Sequence, residues 1–275
     1  MKKKEINYKG KKLSYVTKGE GPAVVVLVHG FGEDRTIWDN LASALKDYHL
    51  IIPDLPGTGD SEMIDDMSME GMANALQQLI VHELATVFYK EGEPGSVVMI
   101  GHSMGGYITM AFAENYSQML LGFGLFHSSA FADSEEKKET RRKGIAFIEE
   151  NGAFQFLKTA TPNLFSEATR KNSPHLVEQQ INLGNNFSGA ALVSYYRSMM
   201  QRPDRTSVLK ATKVPVLFIL GKYDNAVPLS DGLQQCYLPH LSYIHILENS
   251  GHMGMLEEPK ESTEMVTNFI KSIYL

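Results

Sequence analysis

Gly101-His102-Ser103-Met104-Gly105 sets a serine between two glycines, each two residues away. The segment follows the apolar run Val97–Ile100 directly, and a helical pattern follows it through Tyr107, Met110, Ala111 and Ala113. In a strand–turn–helix context, G-x-S-x-G reads as a nucleophile elbow. A sharp turn lifts the hydroxyl clear of the sheet and crowds the backbone two residues to either side. Gly101 and Gly105 relieve that crowding, and Gly106 lets the following helix approach the sheet. Ser103 also stands at a helix N-terminus, where unpaired N–H groups favour developing negative charge. The competing reading is a serine in an ordinary glycine-rich turn; the strand before it and the helix after it count against that.

A serine hydroxyl is a poor nucleophile until a base takes its proton. Of the nine histidines, His252 has the best setting for that role. It lies in Asn249-Ser250-Gly251-His252-Met253, just past the last apolar run, Tyr243–Leu247. That puts it at the carboxyl end of the sheet, where open α/β sheets build their sites. His29, His102 and His127 line the same edge, with His102 expected to point away from Ser103 as its immediate neighbour. Asp224, in Gly221-Lys222-Tyr223-Asp224-Asn225, follows the run Val214–Leu220 and supplies the carboxylate that orients the imidazole. Asp54 competes for that role but reads better as a loop brace. The order serine, aspartate, histidine fits this kind of hydrolase. Two oxyanion donors are needed: the Met104 backbone N–H, and one from His29-Gly30-Phe31-Gly32, where Phe31 is the expected donor. A phosphate cradle in that glycine-rich loop is disfavoured, because neither G-x-G-x-x-G nor G-x-x-x-x-G-K-[ST] occurs.

These residues must be held by strands and helices. Ala23–Val28, Leu50–Ile52, Val97–Ile100, Val214–Leu220 and Tyr243–Leu247 are apolar on both faces, as strands covered on both sides are. Leu121–Phe126 is a weaker strand, interrupted by Gly122 and Gly124. Helical spacing recurs between the runs, in Met69–Val87, Thr36–Leu45 and Pro259–Ile273. The alternation predicts a doubly wound, mostly parallel α/β sheet. Glu5–Tyr8 and Leu13–Thr17, joined by Lys9-Gly10-Lys11, predict an antiparallel hairpin ahead of it. From Ser128 to Arg205 the pattern is helical throughout, so residues 128–205 are expected to be an inserted cap, and residues 1–127 and 206–275 the core.

At 275 residues and 43% hydrophobic, the chain can bury one large core. A net charge of −6 gives no basic field for nucleic acid. No apolar segment approaches a membrane span, and Lys2, Lys3 and Lys4 lead into no apolar run of the signal-peptide type. The expected location is cytoplasmic, the expected partner is a small-molecule substrate, and no metal or organic cofactor is expected. The single cysteine, Cys236, excludes an intrachain disulfide and reads as a buried apolar residue on a helix.

With these motifs, together with Asp54-Leu55-Pro56-Gly57-Thr58-Gly59-Asp60-Ser61, the chain resembles the α/β-hydrolase superfamily over nearly its whole length, in particular the capped branch of small esterases and lactonases. The resemblance implies Ser103, Asp224 and His252 as the triad and the Phe31 and Met104 amides as the oxyanion hole. Relatives that open epoxides or displace halide carry aspartate at the nucleophile position, which Ser103 does not match. The same triad serves carbon–carbon bond hydrolases, perhydrolases and hydroxynitrile lyases, and these stay open beside the favoured ester, lactone or thioester substrate. A ligand-binding protein with slow turnover also stays open. The aromatic and methionine residues of the cap point to a mostly apolar acyl compound.

Overall fold

The computed structural model describes residues 1–87 and 95–274. Strands β1 (Lys2–Tyr8), β2 (Lys11–Lys18), β3 (Val24–Val28), β4 (His49–Pro53), β5 (Val97–His102), β6 (Leu120–Phe126), β7 (Val216–Gly221) and β8 (Ser242–Leu247) form one sheet in the order β1-β2-β4-β3-β5-β6-β7-β8. The β1–β2 hairpin turns at Lys9 and Gly10, both at positive φ, and pairs Tyr8 with Lys11. β2 meets β4 antiparallel, and every later pairing is parallel. This is the α/β-hydrolase fold.

The helices are α1 (Asp39–Ala44), α2 (Met69–Val87), α3 (Met104–Asn115), α4 (Glu135–Asn151), α5 (Ala153–Ala160), α6 (Glu167–Asn172), α7 (Pro174–Leu183), α8 (Gly189–Gln201), α9 (Thr206–Ala211), α10 (Leu229–Leu233), α11 (Gly254–Glu257) and α12 (Pro259–Tyr274). They cover both faces of the sheet. Because successive strand side chains alternate faces, Val24, Val26 and Val28 pack toward α2 and α3, while Val25 and Leu27 pack toward α1 and α12. β3, β4, β5 and β7 are buried along their whole length, which explains their uninterrupted apolar sequence. At the rim, β1 and β8 are half-exposed.

Three boundaries differ from the sequence expectation. The stretch read as one helix over Thr36–Leu45 splits into a 3-10 turn, Arg35–Trp38, and α1, with Asp34 accepting the Thr36 N–H at 2.9 Å. Helical structure after β6 begins at Glu135, where Ser134 caps α4, so residues 127–134 form an irregular loop. Cys236 is buried as expected but lies in the turn after α10. Among the described residues, no helix is long and apolar enough to cross a membrane.

Candidate active site

Ser103 sits between β5 and α3 at φ 50° and ψ −117°, in a backbone region that favours glycine. Tight packing holds it there. A Cβ on Gly101 would lie 2.3 Å from the Gly105 carbonyl oxygen, and one on Gly105 would lie 2.3 Å from the Val28 carbonyl oxygen. Both are far inside van der Waals contact, so the glycines at these two positions are a steric requirement of the turn. The strained residue is pinned from three sides: its N–H donates to Phe126 O at 2.9 Å, while its carbonyl accepts from Gly106 N at 2.9 Å and from Ser128 Oγ at 2.7 Å.

The structure brings His252 and Asp224 together. His252 Nδ1 lies 2.8 Å from Asp224 Oδ2, and both side chains are buried. Asp224 Oδ1 accepts the N–H groups of Ala226 and Val227 at 2.8 and 2.9 Å, which fixes the plane of the carboxylate. Burial would raise the Asp224 carboxyl, but His252 and His127 hold it well below the usual range. His252 is raised from its ordinary value: burial works against the charged form, and Asp224 outweighs it. The pair therefore favours an imidazole that is a stronger base than free histidine and can stay charged beside a carboxylate. Among the described residues, no hydrogen bond joins Ser103 Oγ to His252 Nε2.

The loop holding His252 is gripped by consecutive glutamates. Glu257 Oε1 accepts Gly251 N–H at 2.8 Å, and its Oε2 accepts Ser166 N–H at 2.8 Å and Thr169 Oγ at 2.7 Å. Glu258 takes Asn249 N–H at 2.9 Å and Ser250 Oγ at 2.6 Å.

Met104 opens α3, so its N–H has no partner within that helix. Phe31 stands opposite in the loop after β3, and its N–H makes no hydrogen bond among the described residues. The Phe31 ring stacks on Tyr196 of α8 at a 4.4 Å centroid distance and meets Phe156 of α5 edge-on at 6.2 Å. The helices between β6 and β7 thus rest directly on this loop. Tyr195 adds a hydrogen bond to Pro56 O at 2.6 Å.

A family model described as "Alpha/beta hydrolase family" matches residues 25–264. The chain belongs to that family. Monoacylglycerol lipase ABHD6 of Bos taurus is 24% identical over 270 residues, covering 93% of this chain and 77% of the relative. A 2-hydroxy-6-oxononadienedioate/2-hydroxy-6-oxononatrienedioate hydrolase of Burkholderia vietnamiensis is 25% identical over 285 residues, covering 94% and 91%. In structure the chain is similar to a thermophilic esterase from Thermogutta terrifontis, with a TM-score of 0.90, 28% identity and 100% of both chains covered.

Sequence reasoning about this α/β hydrolase missed two partners. His127, at φ 48° just after β6, places Nδ1 3.3 Å from the same Asp224 oxygen that His252 uses. Its Nε2 accepts Gly254 N–H at 3.2 Å, so the ring hydrogen is on Nδ1, which lies near the carboxylate without a well-aligned hydrogen bond to it. Burial pushes the His127 imidazole down to about 4, keeping it neutral. The cluster His127, Asp224 and His252 has the composition of a metal site. His252 Nδ1 is committed to the carboxylate and His127 Nε2 to the Gly254 N–H, which favours the triad reading. The second partner is Glu33, beside His102. Proximity to the sheet edge flagged His127 in the sequence; nothing flagged Glu33. Among the other edge residues, His29 Nε2 accepts Leu55 N–H at 2.9 Å and so bolts the loop after β3 to the Asp54–Ser61 segment, while Asp54 holds Arg35.

Proposed function

We propose that this chain is a serine hydrolase that cleaves a small, mostly apolar carboxylic ester, lactone or thioester through an acyl-enzyme on Ser103. The observation that carries the reading is the buried 2.8 Å His252–Asp224 pair at the sheet edge that also carries the strained Ser103 elbow. In this reading Ser103 Oγ attacks the substrate carbonyl carbon while His252 Nε2 takes its proton. The oxygen of the carbonyl, now negative, is met by the N–H groups of Met104 and Phe31. His252 returns the proton to the leaving alcohol or thiol as the carbon–oxygen or carbon–sulfur bond breaks. It then takes a proton from water, whose oxygen attacks the acyl carbon, and passes that proton to Ser103 Oγ as the acid is released. Asp224, held ionised, balances the imidazolium in both halves.

The helical segment 128–205 acts as a cap. Its aromatic side chains cluster over Phe31, which suits an apolar acyl chain better than a charged one. A second reading, carbon–carbon bond hydrolysis by the same residues, draws on the similarity to the Burkholderia hydrolase over 94% of this chain.

A labelled fluorophosphonate, applied to the wild type and to Ser103→Ala, tests the nucleophile. p-Nitrophenyl esters of rising acyl length then test the reaction. Labelling confined to wild type, with fast turnover at one chain length, is the expected result. Labelling without turnover of any ester moves the reading to carbon–carbon cleavage or to ligand binding. No labelling removes Ser103 as nucleophile.

A further inference from the structure

Directly behind Ser103 lies a buried acid–base pair that none of the steps above uses. His102 is fully buried, with Nε2 2.9 Å from the His252 carbonyl oxygen and Nδ1 2.9 Å from Glu33 Oε2. A carbonyl oxygen only accepts, so Nε2 carries a hydrogen. Glu33 Oε2 also accepts the Gly30 N–H at 2.7 Å, so one oxygen serves two partners. Burial would raise the Glu33 carboxyl, but the His102 ring, the Gly30 amide and His29 together hold it below its usual range. One hydrogen lies between Nδ1 and Oε2, so a single buried hydrogen bond joins His102 to Glu33.

The pair ties together three segments that are remote in sequence. Glu33 holds Gly30, the residue before the Phe31 donor. His102 precedes Ser103 and the Met104 donor. The His252 carbonyl belongs to the loop of the base. We propose that the hydrogen-bonded Glu33–His102 pair is a positioning device that holds both oxyanion donors and the catalytic base in one register. The proposal rests on the acyl-transfer reading above. Its physical basis is that a displacement of about 1 Å at reacting groups can cost on the order of a hundredfold in rate. Trp38, Phe126, His127 and His252 pack around the His102 ring at centroid distances of 6.4, 6.0, 6.0 and 5.0 Å, which shields the pair from water. Of these neighbours only His127 and His252 are titratable; His252 Nδ1 hydrogen-bonds to Asp224, and His127 Nδ1 lies 3.3 Å from the same carboxylate.

Glu33→Gln is the direct probe. An amide oxygen can still accept two hydrogen bonds but carries no negative charge, so it holds the Gly30 N–H and the His102 ring more weakly. We expect kcat for a p-nitrophenyl ester to fall roughly ten- to a hundredfold, with KM within about threefold and fluorophosphonate labelling slowed by the same factor as kcat. His102→Gln should behave alike, and the double variant should be no worse than the worse single, because the two act as one unit. A folded Glu33→Gln with unchanged kcat and labelling rate overturns the proposal. If Glu33→Gln does not fold, Glu33→Asp keeps the charge but withdraws it by one methylene. Full activity there would equally overturn the proposal. Wild type that fails to label would sink the acyl-transfer reading instead, whereas failure of the positioning proposal leaves wild-type labelling intact.

Discussion

The elbow end of the sheet and the helical segment between β6 and β7 are built to different tolerances. Around Ser103 the backbone is fixed by contacts that leave no slack, with a Cβ on Gly105 brought to 2.3 Å from Val28 O. Buried titratable groups there are hydrogen-bonded in pairs at 2.8–2.9 Å, as in His252–Asp224 and His102–Glu33. Over Phe31 the contacts are mainly aromatic, with Phe147 left 38% exposed at the outer side of the cluster. Aromatic packing is non-directional on the scale of a hydrogen bond, so it can be re-cut without losing the fold. On the proposed acyl-transfer reading, the difference puts the chemistry at the sheet edge and the choice of substrate in the helices above it.

The sharpest way to break this division is at the elbow. Ser103→Ala should lower kcat by roughly four to six orders of magnitude while melting close to wild type, since the triad acts as a unit. Asp224→Asn should lower kcat by roughly 10⁴-fold, because His252 loses the partner that fixes its tautomer. Steady-state kinetics with a short-chain ester measures both. In the helical segment the expected effects are smaller and of another kind. Tyr196→Ala removes the ring stacked on Phe31, and kcat/KM for a long-chain ester should change by about tenfold while that for an acetyl ester stays within about threefold. Equal losses on both esters would erase the division, because Tyr196 would then be setting the Phe31 amide rather than the pocket.

A gentler probe is pH. His252 must be neutral to accept a proton, and its folded value is raised by Asp224 against the opposing effect of burial. Activity should therefore fall as pH drops through a point above the ordinary 6.5 of histidine. A kcat/KM profile flat down to pH 5 would remove His252 as the base.

How much of this was legible depended on whether the signal was local. β3, β5 and β7 were readable because burial on both faces leaves continuous apolar runs. Ser103, His252 and Asp224 were readable because each follows such a run. β6 read weakly because of Gly122 and Gly124, yet both glycines have a packing reason. A Cβ on Gly122 would lie 2.4 Å from Ile273 Cδ1 of α12, and one on Gly124 would lie 2.6 Å from Ile100 Cδ1 of β5. Close approach across the sheet leaves no trace in strand periodicity. Glu33 was invisible for a similar reason: His102 is 69 residues away, and an isolated glutamate after a glycine-rich loop looks like a solvated one. The helical character of residues 135–201 was clear, but which aromatic side chains meet Phe31 depends on how α5 and α8 cross, and sequence does not encode crossing angles locally.

The smallest expected effect concerns stability, and it separates His127 from the two residues it touches. His127 sits at about 4 in the folded chain, because burial disfavours its charged form, against about 6.5 when unfolded. A histidine depressed in this way contributes stability that is fully present above pH 6.5 and is lost as pH falls through the folded value. The full loss is about 3 kcal/mol. Asp224 is depressed from 3.8, so its contribution is lost only below that window. His252 is raised, so its contribution is present below pH 6.5 and lost only as pH climbs past its folded value. Urea unfolding at pH 7 and pH 4.5 should therefore show wild type losing about 2 kcal/mol that His127→Gln does not lose. Other groups, including the half-buried His245, cancel in the comparison because both proteins contain them. If the two proteins lose the same amount, His127 is not held neutral beside Asp224. The carboxylate would then be shared by two cations, and the tight geometry at the sheet edge would need another explanation.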